Sequence, residues 1–482
     1  MNNYIRSTFI FSLVLLVLPG CTKHILDTVP KTTLSDASAF STSDKIQAAV
    51  NALYSQVEVP SYFGGRYIVF SEQRGDEFSQ NDGNNATGAN VWNQSITASG
   101  NFVNAVWNAA YAAINSANIV IKNVSTTAVV SDSLRKNFVA EAKFIRAFNY
   151  FNLVETYAKP YAQDKSSLAL PLRLDPSIAG GDNSFPFSSV ADVYTQIIAD
   201  LNDAEANLPT GYSSALLNVS RANKSTAIAL KTRVYLAQGA YASVITEASK
   251  LVPAAAPYQY SAGTATHKLE ASIATVFGGS YTGPEAIFFL GFVNPSEAPD
   301  NQSALAYNYL YPILPLNVSG IAADPVFSAG STDARKGLLK TNTTGQVLLN
   351  KFPHNTVPYF DYILVIRYAE VLLNYAEAAA NNGDPATAIA LLNAVRQRSG
   401  PGYVFSPASL DPATTLIPTI LTERRIELLG EGFRLYDLLR RVQSLPAKTG
   451  NAGTAPQVDP TAGNYVWQVP SSETGYNTQA PH

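Results

Sequence analysis

The stretch RYAEVLLNYAEAAANNGDPATAIALLNAVRQRSG, residues 367–400, contains two helical patterns of apolar residues separated by a short polar turn. Asp384 precedes the second pattern as an N-cap, Pro385 takes the first helical position, and Gly400 follows the last turn. Small residues allow the two helices to approach closely, and this layout is typical of tetratricopeptide units. The stretch therefore predicts a closely packed helix pair.

A second helix pair is predicted by STAIALKTRVYLAQGAYASVITEASK, residues 225–250, with a turn at Gly239. A strict repeat period of about 34 residues is absent, so these units are degenerate repeats. We expect a mainly α fold, in which tetratricopeptide-like helix pairs form a curved scaffold with long loops on one face.

Helical periodicity dominates the chain from Ser43 onward. The expected helices span residues 43–57, 101–123, 131–158, 189–208, 221–237, 240–251, 361–382, 384–398, 415–430 and 433–442. Residues 60–100 and 253–358 are rich in Gly, Pro, Asn, Ser and Tyr, a composition typical of loops. We expect these two insertions to be loops with a few short strands.

The composition of the 482-residue chain argues against several classes of function. Charged residues make up only 14% and the net charge is −3, without a basic cluster, so nucleic-acid binding is not expected. A single cysteine cannot form an intramolecular disulfide. The four histidines are widely separated, which predicts no zinc site. We therefore expect no metal and no cofactor.

The amino terminus has the features of a lipoprotein signal peptide. Arg6 precedes an apolar run from Phe9 to Leu18, which is about half the length that a membrane-spanning helix needs. The sequence Leu18-Pro19-Gly20-Cys21 is similar to a bacterial lipobox, with Pro19 a less usual residue there. Residues 1–20 are thus a predicted signal peptide and Cys21 a predicted lipidation site. The alternative is an ordinary core cysteine beside a signal peptide.

Two helical motifs carry charged residues within apolar surroundings. EAKFIRAFNYF, residues 141–151, is apolar over most of its circumference, which predicts a buried helix with Arg146 paired or snorkelling. ERRIELLGEGFRLYDLLR, residues 423–440, contains carboxylates of the kind that enzymes use as an acid/base pair. A regular three-residue spacing favours mutual ion pairing along one helix instead. The spaced residues are Glu431, Arg434, Asp437 and Arg440. Because no nucleophile-elbow, P-loop or complete dinucleotide motif occurs, we expect no catalytic activity.

A polar ligand site is expected in two loops, residues 74–94 and 301–317. Sugars bind to flat aromatic faces, with amides and carboxylates satisfying their hydroxyl groups. The candidate residues of the first loop are Trp92, Asn81, Asp82 and Asn90, and those of the second are Tyr307, Tyr309 and Tyr311, with Tyr281 as a weaker candidate. In an extended conformation the three alternating tyrosines would share one face. Alternatively, each aromatic ring packs its loop onto the helical body, or the first loop holds calcium, although it lacks EF-hand spacing.

Several segments together resemble the SusD/RagB family of Bacteroidetes outer-membrane lipoproteins. They are the lipobox with ILDTVP (25–30), EAKFIRAFNYFNLVETYAKP (141–160), DPVFSAGSTDARK (324–336), ILVIRYAEVLLNYAEA (363–378) with ALLNAVRQRSG behind it, ILTERRIELLGEGFRLYDLLR (420–440) and YVWQVPSSETGYN (465–477). The resemblance implies a SusD-like α-α superhelix, with one domain over residues 21–482 made of an N-terminal part (21–252) and a C-terminal part (253–482).

The resemblance also implies a function. Members of this family are nutrient-binding lipoproteins at the outer-membrane surface, where each forms a lid on a SusC-like, TonB-dependent transporter. The resemblance implies an oligosaccharide ligand, since family members usually bind oligosaccharides and less often peptides. Three alternatives remain open: the same fold binding peptides, an assembly scaffold without a ligand, and a surface glycoside hydrolase. The transporter is also an alternative partner for the charged segment 423–440.

Overall fold

The structure is a computed structural model, and it describes residues 36–177, 184–279, 281–292, 296–405 and 412–481. The predicted signal peptide and Cys21 lie outside the described residues. None of the described helices is both long and apolar enough to cross a membrane.

The helices are numbered in chain order. They are α1 (Asp36–Ala39), α2 (Ser43–Val57), α3 (Arg66–Arg74), α4 (Ala89–Trp92), α5 (Asn101–Val124), α6 (Asp132–Tyr157), α7 (Tyr161–Asp164), α8 (Val190–Asn207), α9 (Ala215–Ser220), α10 (Lys224–Ala237), α11 (Tyr241–Ala248), α12 (Ile273–Gly278), α13 (Leu305–Leu310), α14 (Tyr368–Asn381), α15 (Pro385–Ser399), α16 (Ile417–Glu427), α17 (Arg434–Leu439) and α18 (Ser471–Tyr476). The fold is therefore mainly α, as the sequence predicts.

The strands are short and pair only in twos within the described residues. They are β1 (Leu168–Pro171), β2 (Phe187–Ser189), β3 (Tyr260–Ala262), β4 (Ala265–His267), β5 (Ala286–Leu290), β6 (Leu339–Thr341), β7 (Val347–Leu349), β8 (Ile363–Arg367), β9 (Lys448–Gly450) and β10 (Gly453–Ala455). The antiparallel pairs are β1–β2, β3–β4, β5–β8, β6–β7 and β9–β10. Since every residue of β5 and β8 is buried, that pair belongs to the core.

The predicted helix pairs are present. Helices α10 and α11 pack together, as do α14 and α15, and α11 also packs against α14, so the two pairs form one stack. In the second pair Asp384 is the N-cap, because its Oδ1 accepts a hydrogen bond from the Thr387 amide at 3.0 Å. One boundary was wrong: the helix expected over residues 361–382 begins at Tyr368, since residues 363–367 pair with β5 as a buried strand.

Helix α6 is buried as predicted, and its arginine is paired. Arg146 binds the Asp200 carboxylate of α8 through two hydrogen bonds, with Nη2 2.7 Å from Oδ1 and Nε 2.8 Å from Oδ2. Bidentate pairing of this kind balances the two buried charges and orients helices α6 and α8 relative to each other.

The insertion 60–100 contains more helix than expected. All nine residues of α3 are buried, including Arg66 and Arg74 at its two ends. Five of its nine residues are polar or charged, and its apolar run is only four residues long, so neither its length nor its composition indicates a buried helix. The expectation of a loop here was therefore wrong, because it rested on the loop-like composition of residues 60–100.

The charged segment 423–440 forms a buried ion-pair network that reaches across elements. Only Asp437 and Arg440 pair with each other, at 2.8 Å. Glu431 binds Lys351 and Arg367, whereas Arg434 binds Asp76. The expectation of mutual pairing along one helix was wrong for Glu431 and Arg434. Glu431 lies between Gly430 and Gly432, both with positive φ, outside α17, and Arg434 of α17 pairs with Asp76 instead.

Candidate functional site

The structure brings the two predicted ligand loops together. The Ser79 amide donates to the Pro315 carbonyl at 2.8 Å, and the Asn81 amide donates to the Ile313 carbonyl at 3.0 Å. The Asn317 amide donates in the opposite direction, to the Glu77 carbonyl at 2.8 Å. Residues 77–81 and 313–317 therefore lie side by side as extended chain.

Two of the predicted aromatic residues are completely buried. Trp92 and Tyr309 are both 0% exposed. Trp92 Nε1 donates to the Phe78 carbonyl at 3.0 Å, and the Phe78 ring stacks on Tyr309 with centroids 4.9 Å apart. These rings pack the two loops onto the body and have no free face for a ligand, so we do not place them in the candidate site.

The expectation that Tyr307, Tyr309 and Tyr311 share one face was wrong. Residues 305–310 form helix α13, and on a helix residues four positions apart lie together while the residue between them points away. The rings of Tyr307 and Tyr311 accordingly have centroids 4.9 Å apart, whereas Tyr309 points into the core.

Tyr307, Tyr311 and Tyr359 form what we call the tyrosine patch. The centroids of Tyr307 and Tyr359 are 6.2 Å apart at an interplanar angle of 70°, and Tyr359 is buried behind the other two rings. Burial, together with the nearby Tyr311 and Tyr307 hydroxyls, raises the pKa of Tyr359, so its hydroxyl stays protonated and able to donate. Tyr311 is 44% exposed and is the ring most open to a ligand.

Tyr281 lies in a neighbouring aromatic stack. Its ring stacks on Tyr362 with centroids 4.9 Å apart, and Tyr362 stacks on Phe289 at the same distance. The Tyr281 hydroxyl donates to Asp361 at 3.0 Å, and burial raises the pKa of Asp361. Because Tyr281 itself is only 6% exposed, Tyr362 forms the outer part of this stack.

His354 contacts this stack through Asp361 and is also exposed to solvent. Its Nδ1 is 2.8 Å from Asp361 Oδ1, and its side chain is 50% exposed. The adjacent Asn355 carbonyl accepts a hydrogen bond from the Tyr311 hydroxyl at 3.5 Å. Segment 354–362 thus contacts both the tyrosine patch and the Tyr281 stack. Sequence reasoning missed this segment, although the aromatic run YFDY at 359–362 was a usable signal.

Two predicted polar residues of the first loop, Asn81 and Asp82, already accept hydrogen bonds within the protein. Asn81 Oδ1 accepts hydrogen bonds from Gln346 Nε2 at 3.0 Å and from Asn451 Nδ2 at 2.6 Å. Asp82 Oδ1 accepts from the Asn84 amide and from the Thr87 hydroxyl, both at 2.9 Å.

Asn90 is the exception among these polar residues, because its Oδ1 is buried and forms no hydrogen bond to a described residue. Across the described ranges no three His, Cys, Asp or Glu side chains are grouped to hold a metal ion.

The arrangement suits binding to a flat, polar and uncharged surface. Exposed tyrosine rings supply large contact areas with hydroxyl donors, at a small loss of conformational entropy. The Asn355 carbonyl beside the patch and the half-exposed His354 imidazole next to the Tyr281 stack offer further hydrogen bonds. The nearby carboxylate of Asp361 is engaged by His354 and Tyr281, so it serves to orient these two side chains.

Comparison with known proteins identifies the family. The model described as "SusD family" matches residues 326–479, and the model described as "Starch-binding associating with outer membrane" matches residues 25–236. The chain is a member of the SusD family. SusD-like protein P2 of Formosa agariphila is 27% identical over 97% of each chain.

Solved structures share the SusD fold along most of the chain. A SusD superfamily protein from Bacteroides fragilis has a TM-score of 0.81 at 28% identity, covering 92% of this chain and all of its own. A laminarin-binding SusD-like protein has a TM-score of 0.72 at 22% identity, covering 91% of this chain and 98% of its own, a likeness that concerns the fold. The helical architecture predicted from the sequence is thus confirmed.

Proposed function

We propose that this SusD-family protein binds an oligosaccharide at the tyrosine patch and passes it on without cleaving it. The observation that carries the proposal is the pair of adjacent rings of Tyr307 on α13 and of Tyr311 directly after it, with Tyr311 open to solvent. Sugar rings present C–H faces that stack on such rings. The description of the amino-terminal family model, which names starch binding, supports the same ligand class.

Isothermal titration with maltohexaose, laminarihexaose and a mixed peptide pool tests this proposal. We expect one of the glycans to bind with a dissociation constant in the micromolar range, about −8 kcal/mol, which still allows release. Tyr311→Ala should weaken that binding about tenfold, since a stacked ring contributes about 1 kcal/mol beyond its buried area. The control is Tyr476→Ala, which removes an 88% exposed tyrosine of α18, outside the patch.

The same titrations distinguish the alternatives. Binding of peptides and not of glycans would favour a peptide receptor, and binding of neither would favour an assembly scaffold. Chromatography of the glycan after incubation with the protein addresses catalysis. We expect its chain length to be unchanged, and release of shorter products would contradict the proposed binding-only role.

We further propose that the protein is anchored at the outer-membrane surface through Cys21, after removal of residues 1–20. Labelling of cells with radioactive palmitate should mark the wild-type protein and not Cys21→Ser, which should appear in the soluble fraction. A label that persists in the variant would contradict the anchor. The proposed partner is a SusC-like, TonB-dependent transporter, which should co-purify with the tagged wild-type protein from detergent extracts.

We also propose that residues 21–482 form a single domain, with parts 21–252 and 253–482. The hydrogen bonds between residues 77–81 and 313–317 support this, because they cross the division between the two parts. Limited proteolysis should then release no stable fragment that ends near residue 252.

A further inference from the structure

A second concave site lies away from the tyrosine patch. A cleft of about 490 Å³ opens between segment 324–333, the end of α15 and the beginning of α16. Its volume is within the range of small-molecule sites, about 300–1,000 Å³. None of its described lining residues belongs to the tyrosine patch or to the Tyr281 stack.

An exposed aromatic ring forms one wall of the cleft. Tyr403 is 46% exposed, although the Arg396 guanidinium lies 4.5 Å from its ring centroid and Phe405 contacts it edge-on at 4.9 Å. The Gln397 side-chain amide also donates to the Tyr403 carbonyl at 3.1 Å. These contacts fix the position of the Tyr403 ring, and part of its surface stays accessible, as stacking on a ligand requires.

A buried, incompletely bonded arginine lies behind this ring. Arg396 is 9% exposed, and its Nη1 forms no hydrogen bond to any described residue. Nη1 lies 3.2 Å from Glu423 Oε2 and 3.6 Å from Asp333 Oδ2, two carboxylates that Arg335 also binds. Because this guanidinium is buried and ion-paired, it gives the cleft no free positive charge, which favours a neutral ligand over an anion.

Hydroxyl groups line the opposite wall. Thr415, Thr419 and Thr422 are spaced four and three residues apart, which places them on one helical face towards the cleft. Thr419 donates to the Thr415 carbonyl at 2.8 Å, and the Thr422 hydroxyl forms no hydrogen bond to a described residue. The Asp324 carboxylate lies across the cleft, where it would repel an anion.

We infer that this cleft is a second binding site for a short neutral saccharide. An exposed tyrosine face, a row of hydroxyls and a carboxylate together match the C–H faces and hydroxyl groups of a sugar. The ligand class rests on the proposed function, whereas the position of the site rests on the geometry of Tyr403, Arg396 and the threonine row. The site would hold a second stretch of the same glycan, or a second chain, apart from the tyrosine patch.

Hydroxyl-radical footprinting of the full mature chain tests this inference, with maltohexaose and laminarihexaose as probes. We expect a binding glycan to protect both Tyr311 and Tyr403 from oxidation, while Tyr476 stays unprotected. In a Tyr307→Ala, Tyr311→Ala double variant, Tyr403 should still be protected at the same glycan concentration. Tyr403→Ala and Thr422→Val should each weaken the second binding event about tenfold and leave the first unchanged.

The outcomes separate this site from the proposed function. Protection of Tyr311 without protection of Tyr403 at saturating glycan would overturn the second site and leave the tyrosine patch standing. Loss of Tyr403 protection in the double variant would show that the cleft binds nothing independently, which also overturns it. If neither probe protects either tyrosine, the glycan-binding function itself fails, and the second site fails with it.

Discussion

The guanidinium of Arg367 lies 2.6 Å from the carboxylate of Glu427, and neither side chain is more than 1% exposed. The same guanidinium binds Glu285 and Glu431, both at 2.8 Å. Arg367 ends strand β8, Glu285 precedes β5, and the other two acids end or follow α16. This one side chain therefore holds the central strand pair to the carboxyl-terminal helices.

Replacing this arginine should be strongly destabilising. Burial alone would raise the pKa of Glu427, but Arg398, Arg367 and Arg335 hold it well below its ordinary value. Arg367→Met removes one of these cations and leaves three buried carboxylates with fewer partners. Losing one partner of a buried pair costs about 3–5 kcal/mol. We expect a loss of this size in the free energy of unfolding, measured by urea denaturation.

Arg135→Met is the matched control, because Arg135 pairs with Asp132 on the surface of α6, where the aspartate is 58% exposed. An exposed pair contributes about 0–1 kcal/mol. Similar losses for the two variants would contradict the structural role of the buried network.

Glu72 should make stability depend on pH. Burial raises the pKa of Glu72 from 4.5 to about 8, against the opposing effect of the Gly432 amide, which donates to Oε1 at 2.6 Å. The folded protein therefore keeps a proton that the unfolded chain has already released above about pH 4.5. Stability from this group is complete below that pH and is lost as the pH rises through about 8.

Glu72→Gln isolates this effect, because glutamine resembles the protonated acid and stays neutral. Between about pH 6 and about pH 8, wild-type protein should lose about 2 kcal/mol of stability relative to the variant. Urea unfolding of both proteins at several pH values within this window provides the measurement. A constant difference between the two proteins across the window would show that Glu72 is ionised in the folded state.

Gly65 allows the site loop to approach helix α3 closely. It precedes α3 with φ +133°, and a Cβ atom at this position would overlap the backbone oxygen of Ser303. Ser303 is followed by α13, which carries Tyr307 and leads directly into Tyr311. Gly65→Ala should therefore destabilise the protein and also weaken glycan binding at the tyrosine patch.

Gly383 is the control for the backbone conformation alone. Its φ is +82°, and a Cβ there would meet nothing within 4 Å. Gly383→Ala should cost about 1–2 kcal/mol and leave glycan affinity unchanged. If the two alanine variants behave alike in thermal denaturation and in titration, the close approach at Ser303 contributes neither to stability nor to glycan affinity.

The sequence was sufficient where local signals decide the structure. The helix pair 367–400 could be predicted because Asp384, Pro385 and Gly400 mark its second helix directly. Helix α3 could not, since five of its nine residues are polar or charged although all nine are buried. The strand 363–367 is not predictable in the same way, because a short apolar run does not distinguish a strand from a helix.

The candidate site was only partly predictable for a different reason. Tyr307 and Tyr311 were recognised, but their shared face depends on a helical turn, and the alternation in sequence suggested extended chain. Tyr359 and the Asn355 carbonyl contact them only through the tertiary fold, across a separation in sequence that periodicity cannot predict. Local sequence patterns were therefore enough to locate the loop, whereas long-range packing determines which of its aromatic rings are exposed.

Trp92 provides the sharpest test of that distinction. Its ring is buried and its Nε1 donates to the Phe78 carbonyl, so the structure gives it a packing role. Trp92→Phe keeps an aromatic ring but leaves the Phe78 carbonyl without this donor, which should cost about 1–3 kcal/mol in urea denaturation. Glycan affinity, measured by titration at a temperature where the variant is folded, should stay at the wild-type value. Tyr311→Ala should show the reverse pattern, with near-normal stability and weakened binding, because its exposed ring contributes little to the core. A folded Trp92→Phe protein that loses affinity as strongly as Tyr311→Ala would show that Trp92 belongs to the ligand site.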